Sequence, residues 1–289
     1  MSSDFKVENI ELHTNVTLRV MHGGSGPPLL LLHGHPRTHT TWLKVARQLQ
    51  SFFSIVAPDL RGYGMSSKPR STSDHAPYSK RAMAADCIAL MHKLGHEHFG
   101  VVGHDRGSLV AIRLALDHPD AVTHLMTLDS VPLGEIIQRA RINFATRWWH
   151  WFFFAQPEIP ERVINANPDA WYKVNPASMG EENYADFLQA IHNPDTIHAM
   201  LEDYRAGLGI DRLHDEMDMH AGRTIKCPVR VLWALQDDLP DLYDDILQVW
   251  HHWAAPQATG KGVECGHHIA EEASAELSEE IKQFILQVR

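Results

Sequence analysis

Short, unbroken apolar runs punctuate the first half of the chain, each too brief to make a helix by itself. Leu29, Leu30, Leu31 and Leu32 follow the turn segment Gly23-Gly24-Ser25-Gly26-Pro27-Pro28; Ser54-Ile55-Val56-Ala57-Pro58 and Gly100-Val101-Val102-Gly103 have the same character, and a further strand is expected from Thr123 to Leu128. A strand buried on both faces needs such a run, whereas a half-exposed strand alternates. Alternation appears only weakly, in residues 5–22, around Val7, Ile10, Leu12, Val16, Leu18 and Val20, which predicts an antiparallel hairpin or meander at a sheet edge. Amphipathic stretches at 41–50, at 79–94 and from Leu109 to Asp117, the last stopped by His118-Pro119, predict helices between the strands. Strands alternating with helices predict a doubly wound, mostly parallel sheet.

From about 132 to 221 the pattern changes: helical periodicity persists, strands vanish, and aromatics gather in Phe144, Trp148, Trp149, Trp151, Phe152, Phe153 and Phe154. The sheet pattern resumes with Val229-Arg230-Val231-Leu232-Trp233. A helix around 241–253, a strand near 259–264 and a closing helix over 270–288 complete it. The organisation expected is therefore a core made of residues 1–131 and 222–289, with a helical lid of residues 132–221 inserted. A chain of 289 residues suits one core plus such an insertion.

Composition narrows the partners. With 36 Asp and Glu against 26 Lys and Arg, the net charge of -10 disfavours nucleic acid and anionic membranes, leaving a small molecule as the expected partner. Cys87, Cys227 and Cys265 lack the spacing of a disulfide framework or a zinc site, and the N-terminal residues lack a secretory pattern, so a cytoplasmic location is expected. The 21 histidines include no HExxH and no regular ligand pair; neither a metal nor a cofactor is expected. A homodimer is the default oligomer for a soluble enzyme.

The chemistry concentrates at Gly103-His104-Asp105-Arg106-Gly107, where a predicted strand ends and a helix begins. Glycines two before and two after a central residue are the signature of a nucleophile elbow, here with Asp105 where serine usually stands. A carboxylate is already ionised at neutral pH and suits attack on saturated carbon, giving an ester that water must then hydrolyse. The second step needs a base and donors to the developing oxyanion. The backbone N–H groups of His35, in His33-Gly34-His35-Pro36, and of Arg106 are candidates for the donors. His267, in Gly266-His267-His268 after the last predicted strand, is the candidate base. The acid that orients it is Asp129, at the end of the strand after the elbow helix, or Asp237 or Asp238, after Trp233.

These segments, with DLRGYGMSSKP at 59–69, LDSVP at 128–132, HW at 150–151, EDYRAG at 202–207 and GHHIAEE at 266–272, resemble the fluoroacetate and haloacetate dehalogenases of the α/β-hydrolase superfamily over nearly the whole chain. The resemblance implies the α/β-hydrolase fold and hydrolytic dehalogenation of small 2-halo acids. It implies Asp105 as nucleophile, His267 as base, Asp129 as orienting acid, and His150, Trp151 and Tyr204 as halide donors. It also implies a pair of arginines for the substrate carboxylate, of which only Arg106 is present; Leu109 stands where the second belongs. Arg37, just after Pro36, is a candidate compensating charge. The alternatives are an epoxide hydrolase, which would use Tyr204 and Tyr172 to protonate a ring oxygen, and a binding protein that keeps the pocket without turnover.

Overall fold

The computed structural model describes residues 5–286. Its sheet follows the order β1 (Phe5–Glu11), β2 (Thr17–Gly24), β4 (Ser54–Pro58), β3 (Pro28–Leu32), β5 (Phe99–His104), β6 (Val122–Leu128), β7 (Val229–Ala234), β8 (Thr259–Val263). The strands β1 and β2 pair antiparallel with each other, and β2 with β4; every pair from β4 to β8 is parallel. The expected edge hairpin and parallel interior are both present.

The apolar runs are explained by what covers them. Leu29 and Leu31 of β3 point into one core with Val45, Ala46 and Leu49 of α1 (Leu43–Leu49) and with Leu277 and Ile281 of the C-terminal helix Ser274–Leu286. Leu30 and Leu32 point the opposite way, into a core that includes Leu90 of α2 (Lys80–Lys93) and Val110 and Leu114 of α3 (Arg106–Asp117). Each of these leucines is fully buried, so truncating one to alanine is expected to destabilise the fold by about 2–5 kcal/mol.

The helix expected over 241–253 is not one helix. A turn of helix at Leu239–Leu242 ends where Tyr243 turns extended, and a single 3-10 turn follows at Gln248–Trp250. The Asp245 side chain takes the Gln248 N–H at 3.0 Å, closing a turn where a continuing helix would need a carbonyl. The apolar spacing was real, since Tyr243, Ile246, Val249 and Trp250 are all buried, but it reports burial and not hydrogen bonding. The closing helix likewise divides into Ile269–Glu272 and Ser274–Leu286, with Ala273 off helical geometry between them.

Between β6 and β7 the chain runs through helices alone, from Leu133 to His220. This insertion stands over the carboxyl ends of the central strands, where β5 meets α3. Among the described residues no helix is long and apolar enough to cross a membrane.

Candidate active site

β5 ends at His104 and α3 begins at Arg106, leaving Asp105 as the one residue in which the chain turns back. Its backbone sits at φ 48°, ψ -118°, a conformation that costs a side-chain-bearing residue about 1–3 kcal/mol and persists only where its surroundings impose it. The surroundings here are glycines. A Cβ on Gly103 would lie 2.4 Å from the Gly107 carbonyl oxygen, and one on Gly107 would lie 2.3 Å from that of Leu32. The loop after β3 presses from the other side, since a Cβ on Gly34 would lie 2.5 Å from the Cβ of Asp105. From that loop the His35 N–H donates to Asp105 Oδ2 at 3.3 Å.

Asp129 and Asp237, read from sequence as alternatives, both hold the same imidazole. His267 Nδ1 lies 2.7 Å from Asp129 Oδ2 and 3.0 Å from Asp237 Oδ2. Asp129 is buried, at a positive φ of 49°, and its other oxygen accepts the Ala234 N–H at 2.9 Å. Burial and the neighbouring Asp237 carboxylate raise Asp129 to about 6 against the pull of His267. Burial would lower His267, but the two carboxylates on Nδ1, reinforced by Asp105, hold it well above the usual histidine value. Asp238 does not reach His267: it accepts from Arg147 at 2.7 Å and from the Trp148 indole at 3.1 Å.

The turn carrying His267 is fastened from two sides. His104 Nε2 contacts the His267 carbonyl at 2.8 Å; burial pushes that imidazole down to about 3, so it is neutral and donates. The Glu272 carboxylate accepts from the N–H groups of Gly266 and His268 at 2.8 and 3.2 Å. Neither role was visible in sequence, although both residues lie inside the motifs singled out there. Ligand atoms of Asp129, Asp237 and His267 lie within 4.8 Å of one another, as do those of His104, His267 and His268, spacings that a divalent ion could accept. In the first group the Nδ1–H to carboxylate bonds already account for the geometry.

A cavity of about 310 Å³ opens onto Asp105, Asp129, Asp237 and His267, and the insertion closes it with Trp148, His150, Trp151 and Tyr204. Leu109, Ile136, Ser130, Asp238, His35 and His268 complete the wall. Rings of Trp151 and His150 stand 5.5 and 6.0 Å from that of Tyr204. Among the described residues none of these three side chains spends a polar hydrogen on the protein. All three are neutral donors: burial lowers His150 to about 4, and burial followed by the Asp105 carboxylate raises the Tyr204 hydroxyl well above its usual value.

The two arginines expected to meet substrate lie outside this wall. Arg106 is fully buried, with Nη2 2.8 Å and Nε 3.1 Å from the Asp203 carboxylate, and its guanidinium lies 4.1 Å from the ring centre of Tyr204 and 4.9 Å from that of Trp151. Arg37 donates to Glu271 at 2.8 and 3.3 Å. Arg37 is thus a structural tie between the loop after β3 and the helix after His267, not a second clamp beside Leu109. Sequence could not disclose either pairing, because Asp203 and Glu271 are 97 and 234 residues away along the chain. The half-buried Tyr172 ring lies 5.5 Å from that of His35, with its hydroxyl buried, without a hydrogen-bond partner and outside the cavity wall.

Residues 27–273 match the family described as alpha/beta hydrolase fold. The chain is 42% identical over 226 residues to a fluoroacetate dehalogenase from Burkholderia sp, covering 75% of this chain and 74% of that one. It is 32% identical over 261 residues to a soluble epoxide hydrolase from Corynebacterium sp. (strain C12), covering 86% of each. A solved structure from Nostoc sp PCC 7120, whose name gives only this fold, superposes with a TM-score of 0.95 at 41% identity over 100% of both chains. The strained elbow, the sheet order around it and these likenesses agree: the chain belongs to the α/β-hydrolase fold family of hydrolases.

Proposed function

We propose that the protein is a hydrolytic dehalogenase of small 2-halo carbonyl compounds, working through an ester on Asp105 under a helical lid. An Asp105 oxygen bonds to the halogen-bearing carbon as the carbon–halogen bond breaks and the halide leaves with its electron pair. His267 then takes a proton from water, and the hydroxide bonds to the carboxyl carbon of the ester while the His35 N–H stabilises the oxyanion. Collapse expels the alkoxide, which recovers the proton from His267. The sum is organohalide plus water giving alcohol, halide and a proton.

The observation that carries this reading is the cluster of neutral, unengaged donors on His150, Trp151 and Tyr204 in the wall shared with Asp105. A departing halide loses its hydration on entering such a site and needs N–H and O–H groups to replace it. The buried Arg106 guanidinium lies 4.1 and 4.9 Å from the centres of the Tyr204 and Trp151 rings, where its charge favours a developing anion at their polar hydrogens. The charge arrangement also fits a two-step reaction. Asp129 and Asp237 do most to raise His267, and esterification removes the smaller contribution of the Asp105 charge, so the imidazole sheds its proton more readily before it must take one from water.

Tyr204 also supports an epoxide hydrolase reading, because its phenol could protonate an opening ring. That chemistry is helped by a second phenol, and Tyr172 is not in the wall. Halide release from chloro- and bromo-substituted 2-halo carbonyl compounds, run beside diol formation from styrene oxide, separates the two. Halide release with no diol is the expected result; diol without halide would replace the dehalogenase reading by the epoxide one.

A further inference from the structure

The cavity wall carries four carboxylates, Asp105, Asp129, Asp237 and Asp238, and among the described residues no lysine or arginine. The buried cations behind it each have a carboxylate partner, although Nη1 of Arg106 and of Arg37 makes no hydrogen bond. Arg106 and Lys80 both bind Asp203, and Lys80 also lies 3.6 Å from Asp211, which makes a buried set of two cations and two anions. Arg37 is matched by Glu271 at 2.8 Å. Granting His267 a second proton, and pairing Asp238 with Arg147 at 2.7 Å, still leaves Asp105 and one of the pair Asp129 and Asp237 uncompensated.

We propose that the substrate is an uncharged 2-halo carbonyl compound, of which a 2-haloamide is the type, and not the anion of a 2-halo acid. The assignment deepens the dehalogenase reading and rests on it. A carboxylate entering this cavity brings a further negative charge towards an anionic nucleophile in a partly desolvated space, where like charges repel more strongly than in water. An amide brings none. Its carbon skeleton matches the apolar wall at Leu109 and Ile136, and Ser130, whose hydroxyl makes only a long 3.4 Å contact to the Val131 carbonyl, is a hydrogen-bond partner for its polar end. The reaction would turn a 2-haloamide and water into the 2-hydroxyamide, halide and a proton.

The test is a set of matched pairs: chloroacetamide against chloroacetate and bromoacetamide against bromoacetate, with halide release followed for the whole protein. The amide is expected to exceed the acid in kcat/KM by at least ~100-fold. The unreactive products separate charge recognition from intrinsic reactivity: glycolamide is expected to inhibit competitively at a concentration at least ~10-fold below that needed for glycolate. Leu109→Arg, which places a cation in the wall, is expected to narrow both ratios. A wild-type preference for the acids, or equal inhibition by glycolate, would overturn the substrate assignment while leaving the dehalogenase reading intact. Halide release from no member of either pair, with no covalent adduct on His267→Gln, would overturn that reading and the assignment with it.

Discussion

The two walls of the cavity are built on opposite principles. The core wall is charged and its two central side chains are tied to the protein: Asp105 is held in a strained turn by glycine packing and the His35 N–H, and His267 is held by two carboxylates and anchored through its carbonyl. The wall supplied by the insertion is neutral, and beside Trp148, whose indole donates to Asp238, it presents an imidazole, an indole and a phenol whose polar hydrogens have no partner among the described residues. Under the proposed function, the first arrangement would fix a nucleophile and a base in advance, and the second would leave donors waiting for charge that develops during reaction. In the proposed mechanism, bond making therefore belongs to the core and leaving-group choice to the insertion.

Breaking the core wall has the largest expected effect. Asp105→Asn should lower turnover by about 10⁴-fold or more, because the residual groups cannot form the ester; halide release checks this. His267→Gln should lower steady-state turnover by about 10³-fold yet leave the first chemical step running, so that a covalent adduct accumulates and is visible by intact mass. A variant of His267 that kept turning over would show that water is activated elsewhere.

Changes in the insertion wall should be milder and fall on a different step. Tyr204→Phe or Trp151→Phe is expected to slow ester formation by about 10–100-fold, read as the pre-steady-state halide burst, while the hydrolysis of ester already formed changes little. Equal slowing of both steps would mean that these side chains only shape the cavity.

The smallest effect is one of position along the pH axis. In the proposed mechanism water activation needs neutral His267, so the hydrolytic step should rise with pH as the imidazole loses its proton. The Asp129 and Asp237 carboxylates raise that titration. Asp237→Asn removes one of them and should move the rising limb to lower pH by about one unit, with little loss at its plateau; the pH profile of kcat checks it. An unmoved limb would mean that Asp129 alone sets the basicity.

The same division explains how much could be read from sequence. The sheet was legible because strands buried on both faces demand unbroken apolar runs, and the elbow because the packing of Gly103 and Gly107 tolerates no Cβ. The edges of the reading failed where spacing and bonding part company: residues 241–253 are apolar at helical intervals, yet Tyr243 is extended and Asp245 closes a turn. Within the site, Asp129 against Asp237 looked like a choice because each ends a strand, and only the convergence of β6 and β7 brings both onto one nitrogen. Arg106 and Arg37 looked available because a sequence names charges without their partners; Asp203 and Glu271 neutralise them from distant elements.

The most direct test of the central claim is a single turnover in H₂¹⁸O with enzyme in excess, followed by mass analysis of the peptide containing Asp105. If the carboxylate forms the ester and water attacks its carbonyl carbon, one labelled oxygen will be found in that peptide and none in the product of the first turnover. Label in the product with an unlabelled peptide would mean that water attacks the substrate directly, and the account of Asp105 as nucleophile would be wrong.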